Sequence, residues 1–180
     1  MEREHAPDIG DDLKEDLGRL EAFAREKGAI RAERIPVEKV VTDERVYYKC
    51  LYGCPSYGSS KMCPPNTPLP GDFERALRKF KWGVLVQTRP QDITEIVVAV
   101  EREAFLLGHY LALGLKGGKC FLCDECVGED EPCRYPDMAR PSMEALGIDV
   151  FATLKNAGVS AAVKTSGEEE WFFYGLVLVC

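Results

Sequence analysis

Four cysteines lie close together in the segment CFLCDECVGEDEPC, at positions Cys120, Cys123, Cys126 and Cys133. The first three follow a C-x2-C-x2-C spacing. Thiolates spaced in this way can converge on one inorganic core from a tight loop, and iron–sulfur clusters require such soft, deprotonated sulfur ligands. Cys133, which follows Gly128 and Pro132, can supply the fourth ligand. The segment therefore predicts a metal centre, and its spacing favours a [4Fe-4S] cluster.

A structural zinc ion bound by four thiolates is the alternative for the same segment. Zinc sites also use C-x2-C pairs, but a longer spacer usually separates the two pairs. Cys123 instead lies close to both of its cysteine neighbours, which suits a cluster better. Nearby acidic residues would lower the reduction potential of a cluster, because negative charge disfavours adding an electron. The loop carries five of them: Asp124, Glu125, Glu129, Asp130 and Glu131.

A second group, Cys50, Cys54 and Cys63, lies upstream in CLYGCPSYGSSKMCPP with a C-x3-C-x8-C spacing. Three interpretations are open. The group can hold its own cluster with one iron that lacks a cysteine ligand, and such an iron could bind a substrate as a Lewis acid. The two groups can exchange ligands, so that Cys63 completes the downstream cluster and Cys133 joins the upstream one. The thiols can also be buried without metal.

Disulfide bonding explains these cysteines poorly. At 180 residues the chain can bury a core without covalent staples, and its acidic N-terminal segment, MEREHAPDIGDDLKED, lacks the apolar stretch of a secretory signal. We therefore expect a reducing, cytoplasmic setting. The net charge of -7 argues against nucleic-acid binding, and no apolar run reaches membrane-spanning length. An acidic surface could still dock a basic redox partner protein.

We expect a single domain over residues 1–180 with an α/β (α+β) fold, in which helices flank a mixed sheet. Residues 1–28 form an N-terminal helical segment, and residues 50–70 and 119–136 form two metal-binding cysteine loops that emerge together from one end of the sheet. Hydrophobic spacing predicts helices over residues 12–27, 72–80, 93 to about 114, 142–146 and 149–157. Extended segments are predicted over residues 30–41, 45–49, 82–88, 119–122, 159–165 and 171–179.

Three segments resemble a known family: CLYGCPSYGSSKMCPP, GKCFLCDECVGEDEPCRYPDMARPSMEALGIDVF and WFFYGLVLV. They are similar to the predicted metal-binding proteins grouped as domain of unknown function 2284. The resemblance spans about residues 30–179 and leaves the terminal Cys180 outside the pattern. It implies metal ligation by the seven clustered cysteines, Cys50, Cys54, Cys63, Cys120, Cys123, Cys126 and Cys133. It supplies neither a reaction nor a substrate.

Three classes of function fit these features. The leading hypothesis is a redox accessory, in which the cluster passes electrons to or from a partner enzyme. The second is an enzyme that binds a small molecule at an open iron, and a pocket there lined by Tyr52, Tyr57 or His109 would favour it. The third is a zinc-stabilised interaction module. The residues identify no catalytic group, so whether the chain is an enzyme stays open at this stage.

Overall fold

The computed structural model describes residues 10–128, 130–161 and 171–180. Its helices are α1 (Asp11–Glu26), α2 (Glu44–Gly53), α3 (Pro70–Leu77), α4 (Ile93–Leu106) and α5 (Val150–Asn156). Its strands are β1 (Arg31–Pro36), β2 (Trp82–Thr88), β3 (Leu113–Lys116) and β4 (Phe173–Leu178), and short 3-10 turns span Val37–Lys39 and Glu144–Leu146. The predicted α+β class is confirmed. Within these ranges, no helix has the length and apolar character needed to cross a membrane.

The four strands form one sheet in the order β1-β2-β4-β3, and every neighbouring pair is antiparallel. Strand β4 therefore occupies an interior position although it is last in the chain. A single-residue parallel bridge between Lys116 and Ser142 extends the β3 edge. This edge carries the downstream cysteine loop, because the chain enters the loop after Lys116 and returns at Ser142.

Two hydrophobic layers cover the two faces of the sheet. Helices α1 and α4 pack on one face, where Val97 and Val177 belong to the same buried cluster. Helices α3 and α5 cover the other face, where Leu154 and Leu176 are buried together. Successive residues of a strand point to opposite faces, so the apolar run of β4 contributes alternately to both layers. The second layer also supports the site, because α2 packs against α3 and the Glu144–Leu146 turn.

Gly175 lies where α4 packs closely on β4, and a Cβ atom there would be 2.5 Å from Val97 Cγ2 and 3.0 Å from Ile93 Cδ1. We expect Gly175→Ala to lower the free energy of unfolding by about 1–3 kcal/mol, because the helix must shift off the sheet. Urea unfolding measures this change. Gly71→Ala in α3 is the matched control, since no heavy atom lies within 4 Å of its Cβ position. A similar loss of stability in both variants would contradict the packing argument.

Residues 45–49, predicted as a strand, belong to helix α2, so this prediction is wrong. The segment contains residues with high strand propensity, but its N-terminus is capped. The Arg45 backbone N–H donates a hydrogen bond of 2.9 Å to the Asp43 carboxylate. As a consequence, Cys50 lies in the last turn of a helix instead of at the start of a loop.

The other N-terminal predictions are partly correct. Helix α1 forms as expected, and Gly28 follows it with a φ of 103°. Its N-cap is Gly10 without a side-chain cap bond, so Asp12 and Glu15 do not form a capping box. An extended segment was predicted over residues 30–41, and the strand in this range, β1, ends at Pro36. Helix α3 spans Pro70–Leu77, so it begins two residues before the predicted start at residue 72.

In the second half of the chain, β2 has the predicted bounds, and β4 lies within the predicted range 171–179. Asp149 caps α5, because its carboxylate accepts a hydrogen bond from the Ala152 N–H at 2.9 Å. Helix α4 ends at Leu106 instead of near Gly114, and residues 113–116 form strand β3, which was not predicted. Residues 119–122 and 159–161 are not strands. The rest of the predicted strand 159–165 lies outside the described residues.

Candidate metal centre

The upstream cysteine loop begins inside a helix. Cys50 lies in the last turn of α2, and Cys54 is the C-cap residue of that helix. The chain then folds through tight turns, in one of which the Cys63 N–H donates to the Ser60 carbonyl at 3.1 Å. Cys54 is exposed, Cys50 is half-buried and Cys63 is buried. The three sulfur-bearing residues therefore range from the surface to the interior.

The downstream loop leaves strand β3 and returns beside it. The Lys116 N–H donates to the Pro141 carbonyl at 3.1 Å, and the Met143 N–H donates to the Lys116 carbonyl at 2.8 Å. Two hydrogen bonds thus join the start of the loop at Lys116 to the segment in which it returns. Inside the loop, the Arg134 guanidinium donates to the Glu125 carbonyl at 2.9 Å. A closed loop of this kind can present its cysteines from a fixed base.

The two cysteine loops lie together in space, as predicted. A cavity of about 370 Å³, which we call the thiol cavity, is lined by residues 59–62 of the upstream loop and by Cys120, Cys123, Cys126 and Cys133 of the downstream loop. The two loops also influence each other electrostatically, because the Cys120 backbone N–H acts to lower the pKa of the Cys63 thiol. The structure therefore places four cysteines around one cavity and a fifth, Cys63, against one of these four.

We expected both loops to follow strands of the sheet, but no strand ends at residue 49 or at residue 122. The segment after the downstream loop joins them instead. The Asp43 N–H donates to the Gly147 carbonyl at 2.8 Å, just before α2. Further along the upstream loop, the Thr67 hydroxyl donates to the Ala145 carbonyl at 3.4 Å. The turn at Glu144–Leu146 is thus the base on which the upstream loop rests.

The upstream thiols are close enough to affect one another. Burial raises the pKa of Cys50 to about 11, and the neighbouring Cys54, Glu144 and Cys63 add to the rise. Burial also raises the pKa of Cys63. The Cys120 backbone N–H is the strongest influence that lowers this pKa. Thiols with raised pKa values keep their protons at neutral pH, and metal binding must displace them. The upstream thiols would therefore become thiolates when a metal cation binds and displaces their protons.

Lys116 is a fully buried cation beside these thiols, with 0% of its surface exposed. Burial lowers its pKa, and the opposing influences come from Cys120, Glu144 and Cys63 in that order. Its ammonium group donates to three backbone carbonyls of its own turn, those of Gly117 at 3.2 Å, Gly118 at 3.1 Å and Lys119 at 2.6 Å. Carbonyls carry no net charge, so a buried ammonium group still favours an anion nearby. An anionic metal–thiolate centre fits this requirement.

Each of the eight cysteines is a free thiol. In the described ranges, no three His, Cys, Asp or Glu side chains are already placed to hold one metal ion. Cys180 lies away from the loops, where its carbonyl accepts the Trp82 N–H at 3.0 Å. His109 pairs with Asp16 of α1, with 3.1 Å between Nε2 and Oδ2. The residues that line the thiol cavity do not include Tyr52, Tyr57 or His109, and Tyr52 is 82% exposed on α2.

Sequence analysis missed two residues of the site, Lys116 and Glu144. A lysine that follows buried Leu115 and precedes two glycines, in GLKGGK, was a usable signal, because a cation inside an apolar strand needs a compensating partner. Glu144 carried no comparable signal, since PSMEALG reads as an ordinary helical turn. Arg140, which lies just after the downstream loop, pairs with Glu101 of α4.

Fold and site together define a cysteine-rich α+β protein in which two thiol-bearing loops meet at the β3 edge of an antiparallel sheet. A family model described as predicted metal-binding protein (DUF2284) matches residues 33–179, and the chain belongs to this family. The match includes all seven clustered cysteines and stops short of Cys180. No curated protein and no solved structure matches the chain.

Proposed function

We propose that this chain is an iron–sulfur protein that carries one or two [4Fe-4S] clusters and passes electrons to or from a partner enzyme. The observation that carries the proposal is the meeting of the two cysteine loops, with Cys63 against Cys120 and four cysteines around one cavity. Cysteine thiolates are the standard ligands of such clusters, and the C-x2-C-x2-C spacing supplies several from one short loop.

The thiol cavity supports one ligand set, formed by Cys120, Cys123, Cys126 and Cys133. Cys50, Cys54 and Cys63 form the second donor group. The contact between Cys63 and Cys120 supports a coupling of the two groups, either by exchange of a ligand or by close placement of two clusters. When bound, a cluster supplies a one-electron redox centre.

The residues around the cysteines suit an electron carrier. The Lys116 ammonium group offsets negative charge from the interior, which favours the reduced form of a centre beside it. Exposed carboxylates of the downstream loop favour a partner with a basic docking face, because complementary charge speeds encounter. They are Asp124, Glu125, Asp130 and Glu131.

Anaerobic purification followed by iron, sulfide and zinc analysis tests the proposal. We expect about four irons and four sulfides per chain for one cluster, or about eight of each for two. Cys180→Ser is the matched control, and it should retain the full content because Cys180 lies outside both groups. Zinc without sulfide would overturn the iron–sulfur assignment in favour of a structural zinc site. A cluster that cannot be reduced reversibly, as followed by electron paramagnetic resonance, would remove the electron-transfer role alone.

A further inference from the structure

Two adjacent serines of the upstream loop, Ser59 and Ser60, line the thiol cavity together with the cysteines of the downstream loop. Ser59 is exposed, whereas Ser60 is only 6% exposed. Ser60 and Cys126 also line an adjoining cavity of about 280 Å³, so both residues lie at the boundary between the two cavities. The upstream loop therefore brings a buried hydroxyl group to the wall of the cavity that holds the downstream thiols.

The two hydroxyl groups differ in whether their hydrogen is already used. The Ser59 hydroxyl donates to the Ser56 carbonyl at 2.7 Å. The Ser60 hydroxyl oxygen instead accepts a hydrogen bond from the Met62 N–H at 3.1 Å. A hydroxyl group can accept and donate at the same time, and among the hydrogen bonds within the described ranges Ser60 Oγ has the acceptor role. Its hydrogen is therefore available to an acceptor in the thiol cavity.

Hydrogen bonds to the backbone hold Ser60 in place. Its carbonyl accepts from the Cys63 N–H at 3.1 Å and from the Asn66 side-chain amide at 3.2 Å. The Met62 carbonyl accepts from the Ser142 N–H at 3.5 Å, which ties the same turn to the segment after the downstream loop. A donor that is already fixed in position loses little conformational entropy when it forms a further hydrogen bond.

We propose that the Ser60 hydroxyl donates a hydrogen bond to a sulfur atom of the metal centre in the thiol cavity and thereby raises the reduction potential of that centre. The inference rests on the proposed iron–sulfur function. Hydrogen bonds to the sulfur atoms are among the factors that set the potential of an iron–sulfur cluster. The positive end of the O–H dipole stabilises the more negative, reduced form. The upstream loop thus controls the downstream centre whether or not the two loops share a cysteine ligand.

Redox titration of the anaerobically purified holoprotein tests the inference through a comparison of Ser60→Ala with Ser59→Ala. Both variants remove one hydroxyl group from the same cavity wall, but only Ser60→Ala removes an available donor. We expect Ser60→Ala to retain its iron and sulfide and to lower the equilibrium constant for reduction about tenfold, which is 59 mV for a one-electron couple. Ser59→Ala should leave this constant unchanged, because its hydrogen is bound to the Ser56 carbonyl.

Ser60→Thr separates the hydrogen bond from the shape of the turn. Threonine keeps a hydroxyl group that can accept from the Met62 N–H and donate into the cavity, whereas alanine can do neither. We therefore expect Ser60→Thr to retain most of the original potential. Electron–nuclear double resonance of the reduced centre in H2O and D2O is an independent measurement. It should detect an exchangeable proton coupled to the centre in the unmodified protein and in Ser59→Ala, and the signal should be lost in Ser60→Ala.

Equal potentials in Ser60→Ala and Ser59→Ala would overturn the inference, and so would an unchanged set of exchangeable proton signals in Ser60→Ala. Loss of iron and sulfide in Ser60→Ala alone, or a potential in Ser60→Thr as low as in Ser60→Ala, would assign Ser60 to the shape of the turn instead. Each of these outcomes is a difference between variants. Failure of the proposed function is distinguishable, because it appears in the unmodified protein as zinc without sulfide or as a centre that cannot be reduced reversibly.

Discussion

Cys63→Ser is expected to disturb the metal centres of both cysteine loops, although Cys63 belongs to the upstream one. Cys63 is only 7% exposed, and the Cys120 backbone N–H is close enough to its thiol to act on its pKa. Serine offers a shorter side chain and a harder donor atom, which iron–sulfur clusters accept poorly. We expect iron and sulfide to fall by about half or more, and the absorption and paramagnetic spectra of the remaining cluster to change.

Cys54→Ser is the matched control within the same group. Cys54 is exposed at the end of α2, so its loss should affect the upstream centre alone. Cys180→Ser should leave both centres unchanged, because Cys180 is outside the loops. If Cys63→Ser instead lowers the iron content but leaves the downstream spectrum unaltered, the two loops hold separate centres and the contact between Cys63 and Cys120 has no role in metal binding.

The elements that could be predicted from the sequence are those with an unambiguous local pattern. Strand β2 is a continuous apolar run, and α4 carries a helical stripe that includes Val97 and Val100. The failed prediction at residues 45–49 has a specific cause. Strand propensity measures how a residue packs on a sheet, and here an N-cap at Asp43 and contacts with the Glu144–Leu146 turn determine a helix instead.

Strand β3 was not predicted because contacts with distant parts of the chain determine it, and a local sequence pattern does not. The stripe of α4 extends in the sequence as far as Leu111, but the helix ends before Gly108, which has a φ of 100°. Gly114 then lies in a strand where a Cβ atom would be 2.7 Å from Val97 Cγ1. A glycine in this position allows a strand to approach a helix closely, yet the same glycine in the sequence suggests a helix end.

The candidate site likewise has features that the sequence predicts and features that depend on the fold. The spacing of the cysteines identified the donor atoms and the two loops, because ligands close in sequence are close in space. The spacing could not show that Cys63 meets Cys120, since that contact depends on how the Glu144–Leu146 turn supports the upstream loop. Nor could it show that a buried cation lies beside them, because the burial of Lys116 follows from the pairing of β3 with β4.

Lys116→Met separates a structural role of this buried lysine from an electrostatic one. Methionine is similar in length and apolar, so the metal-free protein should lose little stability or gain some when the buried ammonium group is removed. The holoprotein should respond differently. The variant loses a charge interaction of about 2 kcal/mol between the ammonium group and a cluster. The reduction potential of the cluster should therefore be lower than in the unmodified protein by on the order of 100 mV. Redox titration monitored by absorption measures this shift.

Lys119→Met is the matched control for that experiment. Lys119 carries the same charge at the same turn, but it is exposed, and its ammonium group lies 5.2 Å from the centre of the Phe121 ring. Solvent screens an exposed charge, so the potential should shift by less than about a third of the Lys116→Met value. Equal shifts in the two variants would show that burial of Lys116 is irrelevant to the centre. An unchanged potential in a destabilised Lys116→Met protein would assign the lysine to the turn at Gly117–Lys119, whose three carbonyls it binds.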